Sequence, residues 1–164
     1  KALREAGIET RQVLLSNFYS TSPQSLIPVT GLPGEKDAAY SVIGTRGRVV
    51  RVAADNGICA LEGRTVFCSV QTGSDFASRS VSSQVREIMQ KLFAGLEAHG
   101  TNLAMAAATN VYLYDLRDFK TMNDTYASFF RSDAPTRTTV QGQAAGERQA
   151  SGPLVRISLI AVKE

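Results

Sequence analysis

The chain contains no tryptophan, one histidine, two cysteines and five prolines in 164 residues. A single histidine and no C-x-x-C pair leave no metal-ligand set, and nothing in the sequence implies a cofactor. No apolar run approaches the roughly 18 residues of a membrane helix. No charged-then-apolar leader opens the chain, so the expectation is a cytoplasmic protein with no membrane partner. Charge of one sign is also scarce, since 18 Lys and Arg against 15 Asp and Glu give a formal +3. Arg46, Arg48 and Arg51 cluster in one short basic stretch, read as the polar positions of a strand spanning Gly47 to Ala54. Basic residues are not interleaved with an aromatic stacking platform, so nucleic acid is not an expected partner.

What is present is 43% hydrophobic residues, enough to bury a proper core in one domain. Val81, Val85, Ile88, Met89, Leu92, Phe93 and Leu96 recur at spacings of three and four, which predicts a helix stopped by Gly100. His99 sits at its end, an ordinary place for an imidazole. Asn110 to Tyr114 reads as a strand. Asp118 is the expected cap of a second helix that turns Phe119, Met122, Tyr126, Phe129 and Phe130 inward. Thr136 to Val140 and Leu154 to Val162 supply further strands, the latter alternating Val155, Ile157, Leu159 and Ala161 against Arg156, Ser158 and Ile160. Earlier, Lys1 to Ala6 reads as a helix end stopped by Gly7, Arg11 to Tyr19 as a strand, and Ser20 to Gly34 as a loop. The order predicts an α+β two-layer sandwich, a mixed sheet with two helices on one face. The other face has no helix to cover it, so self-association is expected.

The cysteines follow from the hairpin. With Glu62-Gly63 as its two-residue loop, Cys59 faces Val66 and Cys68 lies opposite Gly57. The sulfurs are then diagonal neighbours, roughly 7–8 Å apart, which is out of disulfide reach. Free buried thiols in a reducing compartment are the expectation.

Arg137 stands out chemically. It follows Pro135 at the mouth of a strand whose next residues, Thr138, Thr139 and Val140, favour extended structure. A guanidinium held on a rigid element can grip a carboxylate by two parallel hydrogen bonds. Around it the chain reads Gly63-Arg64-Thr65-Val66-Phe67-Cys68-Ser69-Val70-Gln71, then a helix, Val111-Tyr112-Leu113-Tyr114-Asp115, Asp118-Phe119, Met122-Asn123, Tyr126, Phe129-Phe130 and Pro135-Thr136-Arg137-Thr138-Thr139-Val140. In that order and spacing, residues 57–163 resemble the Rid, or YjgF-like, family.

The resemblance implies a Rid/chorismate-mutase-like sandwich over residues 57–164, with residues 1–56 as an extension packed on the same domain or a degenerate partial repeat. It also implies a homotrimer with a small-carboxylic-acid pocket at each subunit junction. The activity implied is hydrolysis of enamine or imine intermediates of the 2-aminoacrylate type to a keto acid and ammonia. Arg137 matches the carboxylate-binding arginine, Ser69 the hairpin serine, Asn123 the helix asparagine and Thr139 the small polar residue two places beyond the arginine.

Three departures matter. The family's water-positioning glutamate is Arg156 here, valine replaces glycine in Ser69-Val70-Gln71, and the tyrosine of the family's opening phrase has no counterpart in Asp55 to Ala60. Catalysis would then need relocated acid chemistry, with Glu147 or Asp55 as candidates. The alternatives are a chorismatase-like enzyme acting on a more anionic acid, with Arg156 beside Arg137 in the substrate pocket, and a non-catalytic metabolite-binding member.

Overall fold

The computed structural model describes residues 5–20, 27–28, 38–75, 77–78, 80–130, 132–142 and 152–164, with the side chains of 16–20, 27–28 and 38–41 outside that description. Most of the expected Ser20 to Gly34 loop, the first four residues of the expected Lys1 to Ala6 helix and Glu147 lie outside the described residues.

A six-stranded sheet forms the frame, in the order β4-β5-β6-β9-β7-β8. Its strands are β4 (Val49–Val50), β5 (Cys59–Glu62), β6 (Thr65–Thr72), β7 (Ala106–Leu113), β8 (Thr136–Gln141) and β9 (Val155–Val162). All neighbouring pairs are antiparallel except β7 with β8, so the sheet is mixed. Two helices, α1 (Val81–Ala98) and α2 (Phe119–Ala127), pack on one face, as the periodicity predicted. Val111, Ile157, Leu159 and Ala161 point at them and are buried with Val85, Ile88, Met89, Leu92 and Leu96. Ser80 caps α1 by accepting from the Ser83 amide, and Gly100, at φ 74°, leaves its C-terminus in the left-handed region that glycine tolerates.

Several local expectations are corrected. The basic stretch is strand only at Val49–Val50, followed by a 3-10 turn over Ala53–Asp55. Arg46, Arg48 and Arg51 are exposed, and Arg46 and Arg51 donate to backbone carbonyls of Ala6, Arg11 and Val13. Asp118 makes no capping bond to α2. The cap is one turn earlier, where Asp115 accepts from the Arg117 amide at the start of a 3-10 turn that runs into the helix. Phe119 is 41% exposed instead of inward.

The hairpin register differs from the expected one by one residue on each strand. Glu62 pairs with Thr65, so the loop is Gly63-Arg64, and Cys59 lies directly opposite Cys68. The two form a disulfide across the strands, in place of the expected free thiols, and the argument for a reducing compartment falls with them. Gly95 of α1 packs onto this bond, since a Cβ there would come within 2.7 Å of Cys59 Sγ.

The first segment folds as β1 (Val13–Ser20), β2 (Ile27–Pro28) and β3 (Ala38–Gly44), with β1 between the other two. β1 lies against β5 and β6, and Leu14 and Leu15 are buried. The face turned away from the helices is therefore partly occupied within the chain itself. No described helix is long and apolar enough to cross a membrane.

Candidate functional site

The site is built on one side of α2 and on the strand β8 beside it. Phe119, Asn123 and Tyr126 are spaced four and three apart on α2, which places them on one side of that helix. Arg137 pairs with Thr109 across β7 and β8, and both side chains meet that side. Arg137 Nη2 donates to Asn123 Oδ1 at 2.7 Å. Its guanidinium carbon lies 4.9 Å from the Tyr126 ring centre and 5.6 Å from that of Phe119. Each such cation–π contact contributes about 0.5–2 kcal/mol depending on desolvation, so the half-buried fork is held from three sides.

Tyr126 is itself anchored, its hydroxyl 2.8 Å from Thr109 Oγ1. Burial pushes the phenol above its ordinary value, partly offset by the Thr109 hydrogen bond and the Arg137 charge. The phenol stays a neutral hydrogen-bonding group. Thr139, two residues beyond Arg137, turns its side chain to the same face of β8, and its Oγ1 is buried with no hydrogen-bond partner among the described residues. A cleft of about 380 Å³ opens beside the guanidinium, lined by Asn123, Tyr126, Phe130, Ser132, Pro135 and Arg137.

Of the residues expected in one pocket, Arg137, Asn123 and Thr139 share this face. Ser69 does not. It lies on β6, separated from β8 by β9 and β7, roughly 14 Å at ordinary strand spacing. Ser69 and Val70 together oppose Ser158 in a β-bulge, the register shifting between Cys68 and Gln71. The Ser69 hydroxyl donates to the Ile58 carbonyl at 3.0 Å and accepts from Gln71 Nε2 at 3.1 Å. Ser69 borders a separate cleft of about 400 Å³ shared with Leu14, Arg51 and Ile58.

Arg156 is not beside Arg137 either. It pairs with Tyr112, and Tyr112 with Val140, three residues from Arg137 on β8, so the two arginines leave the sheet on opposite faces. Arg156 is 4% exposed, and burial lowers its guanidinium to about 10. The expected pair of cations in one pocket is therefore corrected by strand alternation. Asp55 is likewise no cleft acid. Its Oδ1 accepts from the Gly57 amide at 2.8 Å, its Oδ2 accepts from the Cys59 amide at 2.9 Å and lies 3.1 Å from His99 Nε2, and the pair is buried. That arrangement ties the start of the hairpin to the end of α1. No cluster of three metal-ligating side chains occurs among the described residues.

The sequence does not show the aromatic cradle of Arg137: Tyr126 is buried in the core as expected, Phe119 is not, and both rings face the guanidinium. The 119/123/126 spacing was the available signal, because it puts an asparagine between two rings on one helical face.

The family model described as Endoribonuclease L-PSP matches residues 52–163. Chloroplastic Reactive Intermediate Deaminase A of Arabidopsis thaliana is 37% identical over 71 residues, 43% of this chain. This chain spans only 37% of that relative's length. The human 2-iminobutanoate/2-iminopropanoate deaminase is 28% identical over 105 residues, covering 61% of this chain and 74% of the relative. A solved structure of the endoribonuclease L-PSP kind from Entamoeba histolytica superposes with a TM-score of 0.59 at 26% identity, covering 70% of this chain and 99% of that one. With its two helices on a mixed sheet and a family match over two thirds of its length, the chain belongs to the Rid (YjgF-like) family.

Proposed function

We propose that this protein binds a small 2-imino or 2-enamino carboxylic acid through Arg137 and promotes its hydrolysis to the keto acid and ammonia. The observation that carries the reading is an immobilised guanidinium facing an open cleft: it is fixed by Asn123 and two rings, yet half-exposed to a ligand. Relatives named as iminoacid deaminases support it. In the step, a water oxygen bonds to the imine carbon, the nitrogen takes up protons, and the C–N bond breaks to release ammonia and leave C=O. Arg137 holds the carboxylate so that the imine carbon is presented in one orientation. The Thr139 hydroxyl, buried beneath the same face of β8, is left to serve a bound water or an atom that reaches it only with the ligand in place.

In this proposal the working unit is a homotrimer with the Arg137 cleft at a subunit junction, because Ser69 could approach Arg137 only from a neighbouring copy. Sedimentation should then give three times the 17.6 kDa chain mass. The activity is tested by generating 2-aminoacrylate enzymatically and following keto-acid release against buffer. Acceleration lost in Arg137→Ala supports the reading, whereas rates equal to buffer reject the hydrolytic step.

A second reading, binding without turnover, is favoured by one observation: the described residues lining the Arg137 cleft include no carboxylate to orient water. Tight keto-acid binding with no acceleration would select it. Arg156 beside Arg137 would have suited the more anionic ligand of the chorismatase-like alternative, and with the two on opposite faces of the sheet that support is gone.

A further inference from the structure

A second cleft, of about 390 Å³, lies next to the first. Phe93 of α1, Leu103, Phe129, Phe130 and Asp133 are among the residues that line it, and it shares Phe130 and Ser132 with the Arg137 cleft. The Tyr126 ring centre lies 4.9 Å from the guanidinium carbon and 4.9 Å from the Phe130 ring centre. The guanidinium and the Phe130 ring that both clefts share are thus no more than about 10 Å apart.

Resting on the carboxylate reading of Arg137, we propose that the two clefts form one binding site, in which the second takes the ligand's apolar tail. The ligand class is a monocarboxylic 2-imino or 2-keto acid with an aryl or branched aliphatic side chain. The chemistry of the lining argues for this class. Phe93 is 38% exposed, a large apolar ring left in water in a cavity that Leu103, Ala104, Phe129 and Phe130 also line, with Asn102, Ser132 and Asp133 as its polar members. Covering such a ring with a ligand's tail removes apolar surface from water on both partners. Asp133 in the lining disfavours a second carboxylate there, and Arg156, on the sheet's other face, offers it no cation. Phe93, Leu103 and Phe129 set specificity; Arg137 sets orientation.

Calorimetry on the intact protein with pyruvate, 4-methyl-2-oxopentanoate and phenylpyruvate tests the idea. Expected is binding of phenylpyruvate at least about tenfold tighter than pyruvate, the gain from burying an aryl group. Phe93→Ala, a change at an exposed position that leaves the core intact, should cut that preference to less than about threefold with pyruvate affinity unchanged. Equal, Arg137-dependent affinities for all three acids would overturn the tail cleft and leave the carboxylate reading standing. Phenylpyruvate binding that depends on Phe93 but not on Arg137 would overturn the joined site and the carboxylate reading, since the apolar cleft would then act alone. Absence of binding by every acid would overturn both.

Discussion

Arg137 Nη2 donates a 2.7 Å hydrogen bond to Asn123 Oδ1, joining the edge strand to the short helix that covers it. A hydrogen bond with one charged partner contributes about 1.5–3 kcal/mol, and here it holds a side chain that otherwise has many rotamers. Asn123→Ala should weaken 2-oxobutanoate binding by about tenfold through lost orientation, and Arg137→Ala should remove it. Arg137→Lys keeps the charge but not the fork and should fall between them. Calorimetry on the three variants checks the order. Full affinity in Arg137→Ala would exclude this residue as the anchor.

Thr139 separates a ligand role from a structural one. Its buried hydroxyl has no partner among the described residues, a state that costs about 1–3 kcal/mol. Thr139→Val removes the hydroxyl at nearly equal volume, so thermal stability should hold or rise. If the hydroxyl serves the ligand or a bound water, affinity drops several-fold in the same variant. Unchanged affinity with raised Tm would assign Thr139 to the fold alone.

Glu87 gives a pH dependence with a definite sign. Its carboxylate accepts from Lys91 and from the amide and hydroxyl of Ser74, which hold it from an ordinary 4.5 down to about 2, with the Lys91 bond the largest cause. A depressed carboxylate stabilises the folded state fully above its unfolded value and loses that contribution as pH falls through the folded value. Stability should therefore decline between about pH 4.5 and 2. Asp75, held low by Ser78 and Ser83, adds in the same direction. In Glu87→Gln the decline should be shallower, as followed by denaturant titration at each pH.

The Cys59–Cys68 bond closes a loop with a sequence separation of nine. Closing a loop of that size contributes about 2–3 kcal/mol on the chain-entropy view, which for a domain this large is roughly 4–12 °C in Tm. Thermal melts with and without reductant, alongside mass spectrometry of the alkylated protein, read this directly. Two alkylated cysteines in the native, unreduced protein would contradict the pairing.

Asp55→Asn tests the buried tie to His99. Asparagine keeps the size of Asp55 but loses the charge that receives two amides and lies beside the imidazole. Loss of a buried charge-assisted network should cost about 2–4 kcal/mol. Ligand affinity should be unchanged, because Asp55 does not line the Arg137 cleft.

The comparison of sequence with structure follows the range of the forces involved. The helix beginning at Val81 was legible because Val85, Ile88, Met89, Leu92 and Leu96 carry its period locally, and the alternation of β9 was legible for the same reason. The hairpin loop was not. Glu62-Gly63 and Gly63-Arg64 are both plausible two-residue turns, and the choice was made by the pairing of Cys59 with Cys68 and the packing of Gly95 against them. Arg156 shows the same limit, since a sequence phrase can align it with a pocket position but cannot say which face of a neighbouring strand shares its side.

The sequence by itself determined which residue types stand at which local period: the two helices, the strands after residue 57, and a lone arginine after a proline at a strand's mouth. Those properties depend on backbone geometry over a few residues. Which side chains meet across elements was decided by tertiary structure alone. The placing of Phe119 and Tyr126 around Arg137, the sending of Arg156 to the far face and the locking of Asp55 against His99 depend on sheet order and register, and these are set by the packing of segments far apart in the chain.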